Sequence, residues 1–378
     1  MSEPWGCYIH VPWCRGICPY CSFFVLRDGP ETPWERWTDA VLREHTERSR
    51  RYDGLASTLF IGGGTPSRLP LDDLGRLLDA LPRRANSEVS VEANPEDVTE
   101  DWVRGACAAG VNRVSLGVQT FDGRHARRLG RGHTSPQAAL AARHLASAPL
   151  RSWSMDLIFA VPGQTLEDLD RDLDQLLTLE PPHVSLYGLT LEPDTPLRRA
   201  VDRGRLRPTD SETWRQMYDR IVERLEAAGL YRYEVSNFAR RGHSSAHNRG
   251  YWEDRPYMGL GPSAHGYRPD GSRYRNVADL DAWFRGGQAM DEQPTPEEAA
   301  ADLLISTLRG CAGTDRARLV AKTGLAPRPA VIDALCNAGL LASDGNNLRL
   351  TAQGFPLADG ITGRLVDALI PVEGQKDG

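Results

Sequence analysis

Short apolar runs recur through the first half of the chain: GCYIHV (6–11), STLFI (57–61), EVSVEA (88–93), NRVSLGV (112–118), SWSMDLIFAV (152–161) and HVSLYGLT (183–190). Each has the composition of a strand, and each is followed by a stretch in which apolar positions return at helical spacing. The segment 34–51 places Trp37, Val41 and Leu42 on one side, and 71–81, 100–109 and 166–179 repeat the pattern. Strand alternating with helix, with strands apolar almost throughout, predicts a parallel sheet covered by helices. Six such units fall short of a closed eight-fold ring, so the expected fold is α/β, an incomplete parallel (β/α)6 barrel open on one side.

The pattern then changes. A helix over 211–228 leads into GLYRYEVSNFA, and residues 240–276 read as an irregular stretch rich in Gly and His. From TPEEAAADLLISTLRG onward the sequence predicts a helix, further helices at 316–322 and 327–338, and two short strands around LLASDGNNLRLT with DGNN as the turn. This is the pattern of a small helical, winged-helix-like domain. The boundaries expected are 1–235 for the partial barrel, 236–294 for an irregular connecting region and 295–378 for the C-terminal domain. The third C-terminal helix, PAVIDALCNAG, carries no Lys or Arg, which favours a structural or docking role over DNA reading.

Composition narrows the classes. The 378 residues carry 45 Lys and Arg against 51 Asp and Glu, a net charge of -6 without long like-charge runs, so nothing calls for a nucleic-acid partner. The start MSEPWGCYIH lacks the basic and apolar regions of a signal peptide, and no segment is apolar over the roughly 20 residues a membrane span needs. A cytoplasmic setting is expected, with at most peripheral membrane contact. There, clustered cysteines are metal ligands or redox groups more often than disulfides, while Cys107, Cys311 and Cys336 read as isolated core residues.

The cluster is YIHVPWCRGICPYCSFF, where Cys14, Cys18 and Cys21 are spaced C-x3-C-x2-C. Three thiolates can hold three corners of a 4Fe-4S cluster and leave the fourth iron open to another ligand. The rival reading, which the spacing favours less, is a Cys3His zinc site with His10 as the fourth ligand. FIGGGTP (60–66) follows the second strand, and three glycines there let a ligand approach the backbone closely and receive its N–H groups. Together, trio and glycine turn resemble the radical S-adenosylmethionine superfamily, in which the open iron is chelated by the amino and carboxylate groups of the cofactor's methionine moiety. Reductive cleavage of that cofactor yields a 5'-deoxyadenosyl radical.

Polar residues also interrupt the apolar strands: Glu92 in VSVEANPE, Gln119 in LGVQTF and Asp156 in SMDLIF, with Arg131 in RLGRGH on the loop after Gln119. An unpartnered polar group in such a position costs about 1–3 kcal/mol, so these residues bond one another, cap the next helix or face a ligand. In barrels a shared site forms at the C-terminal strand ends.

The motifs YIHVPWCRGICPYC, GGGTP, VEANPE, GVQTF, LGRGH and MDLIFAVPGQT together resemble the coproporphyrinogen dehydrogenase branch of the superfamily, and especially its HemW subgroup of heme chaperones, over nearly the entire chain. The resemblance implies that Cys14, Cys18 and Cys21 ligate the cluster. It implies that Tyr8, Tyr20, Gly63, Gly64, Thr65, Glu92, Gln119, Arg131 and Asp156 surround S-adenosylmethionine, with the glycines at its amino acid end and Arg131 near its carboxylate. The oxidases resembled have a further cysteine where this chain has Phe23, and a long segment ahead of the trio, which here begins at residue 14. HNRGYW (247–252) matches the HNxxYW pattern of the chaperones. His247 is able to ligate heme iron, with Tyr251 and Trp252 against the porphyrin and Asn248 orienting the ring, or it is a bonded loop histidine beside aromatics that seal a domain interface. His243, His265 and Cys7 are further candidate ligands. The function expected is binding of heme b and its delivery to acceptor hemoproteins such as respiratory enzymes; the alternatives are a radical oxidase acting on coproporphyrinogen III or another substrate, and a scaffold with a structural metal. S-adenosylmethionine is either cleaved, or the cluster serves mainly for assembly or redox sensing, and a cluster shared between two chains would make a homodimer.

Overall fold

A computed structural model of the chain describes residues 4–287 and 290–372. The six apolar runs form strands β1 (Gly6–Val11), β2 (Ala56–Gly63), β3 (Arg83–Ala93), β4 (Arg113–Gln119), β5 (Ser152–Phe159) and β6 (His183–Gly188). All pair in parallel with their sequence neighbours. Helices Trp34–Arg48, Leu71–Ala80, Glu100–Ala108, Ser135–Ala146 and Leu166–Thr178 make the crossovers. Several begin at a threonine whose hydroxyl accepts from the first turn, and Thr134 with Gln137 and Thr165 with Asp168 form reciprocal capping boxes that fix where each crossover starts.

The strands are not uniformly apolar, as their sequence suggested. One set of alternating residues, including Ile9, Ile61, Val91, Leu116, Met155 and Val184, packs under the helices in the main core. The other set, including Tyr8, Ser90, Ser115, Ser154 and Ser185, faces a polar lumen. Serine and tyrosine sit comfortably in strands and blend into the apolar runs, which hid the period of two.

The stretch read as irregular completes the sheet at both edges. Strand β7 (Asn237–Ala239) adds antiparallel to β6, and strand β8 (Tyr257–Leu260) adds parallel to β1. Beyond β8, the strands His265–Tyr267, Arg273–Arg275 and Met290–Glu292 continue as an antiparallel meander. The twelve-stranded sheet so formed stays open, with Met290–Glu292 and Tyr231–Arg232 at its edges. Between β7 and β8 the helix Ala246–Trp252 is buried at His247.

The C-terminal part is helical, with Pro296–Arg309, Arg316–Thr323, Pro329–Asn337 and Ala358–Val366 around a small sheet in which Leu341–Ser343 and Asn347–Leu350 form the hairpin expected at DGNN. It docks on the barrel through Asp254, whose carboxylate lies 3.1 Å from Arg318 and 2.5 Å from Lys322. No described helix is long and apolar enough to cross a membrane. Cys7 is buried in the core and Cys311, expected inside, is exposed.

Candidate functional site

Parallel strands bring their C-terminal ends to one face of the sheet, and the residues that end β2 to β6 meet there around a cavity of about 500 Å3. Cys14, Cys18, Cys21, Tyr20, Gly63, Gly64, Thr65, Glu92, Gln119, Arg131 and Asp156 all line it. Tyr8 and His247 lie deeper, on a second chamber of about 230 Å3 within the lumen; Gly63, Glu92, Asp156, Phe23 and Tyr187 border both spaces.

The cysteine loop is fastened at its base. Trp13–Cys14 pairs in parallel with Leu26–Arg27, and the Asp28 amide donates to the Cys14 carbonyl at 2.9 Å. The glycine turn then binds this base: the Gly64 amide donates to the Val11 carbonyl at 2.7 Å and the Thr65 amide to the Trp13 carbonyl at 2.8 Å. The Gly63 amide donates to Glu92 Oε2 at 3.0 Å. These N–H groups, expected to face a ligand, are therefore taken by the chain itself, so the motif has only acceptors left to offer. The close approach is real but internal, since a Cβ on Gly63, whose φ is +111°, would stand 2.5 Å from His10 Nδ1.

The thiols stand without His10 as a fourth ligand. His10 cannot complete a Cys3His set, because its Nδ1 bonds the Tyr8 hydroxyl at 3.0 Å and its Nε2 bonds the Phe24 carbonyl at 2.9 Å. Zinc would also draw tetrahedral sulfurs to within about 3.8 Å of one another. Among the described residues the three sulfurs do not all lie within 4.8 Å. Burial pushes the Cys14 thiol up to about 11, partly opposed by a hydrogen bond from Thr65, and pushes Cys21 up as well. A metal would have to displace these protons.

Arg131 ties the loop to the strands. Its guanidinium donates to Cys18 Sγ at 3.7 Å, to the Gly117 carbonyl at 2.7 Å and to Asn94 Oδ1, while its buried Nε has no partner. A cationic group with one donor left over beside the thiols fits a carboxylate. Glu92 and Asp156 supply acceptors opposite. Burial and the neighbouring Asp156 raise the Glu92 carboxyl to about 7; burial also raises Asp156, against bonds from Ser115 at 2.7 Å and Ser154 at 3.4 Å. Gln119 reaches the cavity from a left-handed backbone, φ +67°, at a register shift between β4 and β5.

His247 closes the base of the lumen. Its ring stacks on Phe60 with centroids 5.0 Å apart, Nδ1 bonds Thr58 Oγ1 at 2.8 Å and Nε2 bonds the Tyr251 hydroxyl at 2.9 Å. Burial lowers it to about 4, so the ring is neutral at physiological pH. An iron could bind it only by displacing Thr58 or Tyr251, an obstacle that the sequence did not reveal. Cys7 is likewise enclosed by the core, whereas His243 and His265 are less enclosed. Sequence reasoning missed Glu88, whose carboxylate accepts from the Ala246 and His247 amides, both at 3.0 Å. It also missed Arg113, Tyr187 and Asn94, although Asn94 stands inside VEANPE.

A parallel partial barrel, a three-cysteine loop at its mouth and a partner-seeking arginine beside that loop define a radical S-adenosylmethionine protein. The radical SAM superfamily profile matches residues 8–176, and that of the HemN C-terminal domain matches residues 295–357. This membership implies a 4Fe-4S cluster and S-adenosylmethionine, which supply one-electron reduction and a radical when bound, and the thiols, Arg131 and the two carboxyls fit them. Within the superfamily the chain belongs to the family of heme chaperones named HemW. It is 32% identical to heme chaperone HemW of Bacillus subtilis, covering 96% of this chain and 99% of that one. It is 34% identical to that of Escherichia coli, over 93% and 95% respectively, and 35% identical to that of Mycobacterium tuberculosis, over 97% and 95%. The solved structure of the Escherichia coli radical SAM enzyme coproporphyrinogen III oxidase, HemN, matches with a TM-score of 0.83 over 96% of this chain and 90% of that chain. At 22% identity that likeness is one of fold.

Proposed function

We propose that this chain binds heme b and hands it to acceptor hemoproteins, with Cys14, Cys18 and Cys21 holding a 4Fe-4S cluster and the mouth of the barrel holding S-adenosylmethionine. The observation that carries the reading is the relationship, over almost the whole chain, to proteins named as heme chaperones. Phe23 supports it: 67% exposed, it presents an apolar ring at the mouth where the oxidases resembled have a cysteine. In this reading 1–235 is the cofactor domain, 236–294 carries the HNxxYW helix and the edge strands, and 295–378 is a docking domain. Arg131 positions the cofactor's carboxylate, Glu92 and Asp156 accept from its polar hydrogens, Tyr20, Gly63, Gly64, Thr65 and Gln119 shape its pocket, and Tyr8 stands on the chamber behind it. The setting is cytoplasmic, and the acceptors include respiratory enzymes.

The test is titration of heme into the anaerobically reconstituted protein, followed by the Soret band, with transfer to an apo-hemoprotein and 5'-deoxyadenosine measured in the same samples. Saturable binding and transfer with little cofactor cleavage are expected. Cleavage coupled to substrate turnover, with indifferent heme binding, would instead establish a radical enzyme, the reading that the chamber behind the cofactor cavity favours.

A further inference from the structure

The inner chamber holds polar groups that neither cluster nor S-adenosylmethionine accounts for. On its wall Arg113, His183 and Ser90 come from β4, β6 and β3, and each is more than nine-tenths buried. Arg113 Nη1 donates to the His243 carbonyl at 3.0 Å and stands 3.9 Å from Glu88 Oε2, but Nη2 has no partner. His183 Nε2 bonds the Tyr233 hydroxyl at 2.8 Å and Nδ1 has no partner. Ser90 Oγ has none either. A buried guanidinium edge without an acceptor is costly, and three such groups on one wall are a donor set without its acceptor. When His183 Nε2 accepts from Tyr233, its Nδ1 is a donor, so all three can donate at once.

We infer that the inner chamber is a receptor for a carboxylate group, seated on Arg113, His183 and Ser90. Two oxygens with several lone pairs match three open donors lining one chamber, and the guanidinium, 3.9 Å from Glu88, supplies positive charge. Asp156 feels the Arg113 charge across the chamber, but its hydrogen bonds come from Ser115 and Ser154, and that of Glu92 from the Gly63 amide, so neither acid fills the open donors. At about 230 Å3 the chamber lies below the usual size of a cofactor pocket, so it takes a short acid or the acid arm of something larger. Phe23 and Tyr187 border both the chamber and the mouth, and with Ile17 they are exposed apolar groups around the opening. The mouth between that rim and the chamber is the proposed seat of S-adenosylmethionine, and Arg113 and His183 open β4 and β6 at the end away from it, His183 four residues below Tyr187. A heme on the rim does not reach them, so the acid is a free short carboxylic acid, a reading that does not rest on the proposed function.

The test records saturation-transfer NMR of free propionate with the full-length reconstituted protein. A saturable propionate signal is expected, and Arg113→Gln should abolish it. Ser90→Ala breaks no hydrogen bond of the fold and should weaken propionate binding about threefold, so it carries the test should Arg113→Gln fail to fold. No propionate signal, or a signal that neither variant weakens, overturns the inference. Heme binding is read separately by the Soret titration, so failure of the proposed function leaves this result standing.

Discussion

Glu88 is the residue on which the base of the barrel depends, and its removal has a calculable cost. Its carboxylate is 4% exposed and accepts from the Ala246 amide, the His247 amide and Ser245 Oγ at 3.0, 3.0 and 3.1 Å, with Arg113 at 3.9 Å. The first amides of a helix have no partner within it, so Glu88 is their acceptor. Glu88→Ala leaves two amides and the Ser245 hydroxyl inside without that acceptor, and each such group costs about 1–3 kcal/mol. Water entering the vacated space recovers part of this, leaving about 4 kcal/mol. Glu88→Gln keeps the shape and one acceptor oxygen and should cost about half as much. Hydrogen exchange reads the effect locally: the amides of Ala246 and His247 should exchange roughly a thousandfold faster in Glu88→Ala, since about 1.4 kcal/mol corresponds to a factor of ten. The helix carries His247 and Tyr251, so the same variant should also loosen the stack on Phe60. Exchange at Ala246 and His247 within tenfold of wild type, with an unchanged denaturation midpoint, would refute the assignment of Glu88 as the anchor.

Glu92 makes the cofactor-free protein sensitive to pH. Its carboxyl is raised from 4.5 to about 7, so its contribution is fully present below about 4.5, is lost as pH rises to about 7 and stays lost above, a change of about 3 kcal/mol. Glu92→Gln should therefore raise the melting temperature relative to wild type at pH 8 and leave it similar at pH 4.5. In Gly64→Ala the new Cβ would stand 2.6 Å from the Trp13 carbonyl oxygen, a backbone atom that cannot swing aside. The turn should release the cysteine loop, and iron bound after reconstitution should fall by more than half. Asp254→Ala removes the acceptor shared by Arg318 and Lys322 at the docking contact. A loss of about 1–2 kcal/mol and faster proteolytic release of the C-terminal part are expected, and equal proteolysis rates would count against that contact.

What could be read from the sequence was whatever local spacing encodes. The six strand–helix units follow from periodicity, and the cysteine trio with its glycine turn follows from residues adjacent in the chain. That Glu92, Gln119, Asp156 and Arg131 share one cavity was legible too, because parallel topology alone brings successive strand ends to one face. The lumen was not legible, for a physical reason: Ser90, Ser115, Ser154 and Ser185 are small enough to sit within apolar runs, so the run looked continuous while its inner face was polar. Glu88 escaped notice in the same way, since an acid at the head of an apolar run resembles a solvent-facing residue until the helix it receives is known. That helix, and strand β8 beside β1, lie about 250 residues from β1, and no local pattern encodes such a pairing. The distinction bears on function. The half of the site where the cofactors are expected is written in local motifs, while the half that closes the barrel beneath it is written in isolated polar residues that only the tertiary fold brings together. The HNxxYW helix belongs to that second half: in the fold His247 has Thr58 and Tyr251 on its two nitrogens and Phe60 on its face, the environment of a residue that shapes a chamber.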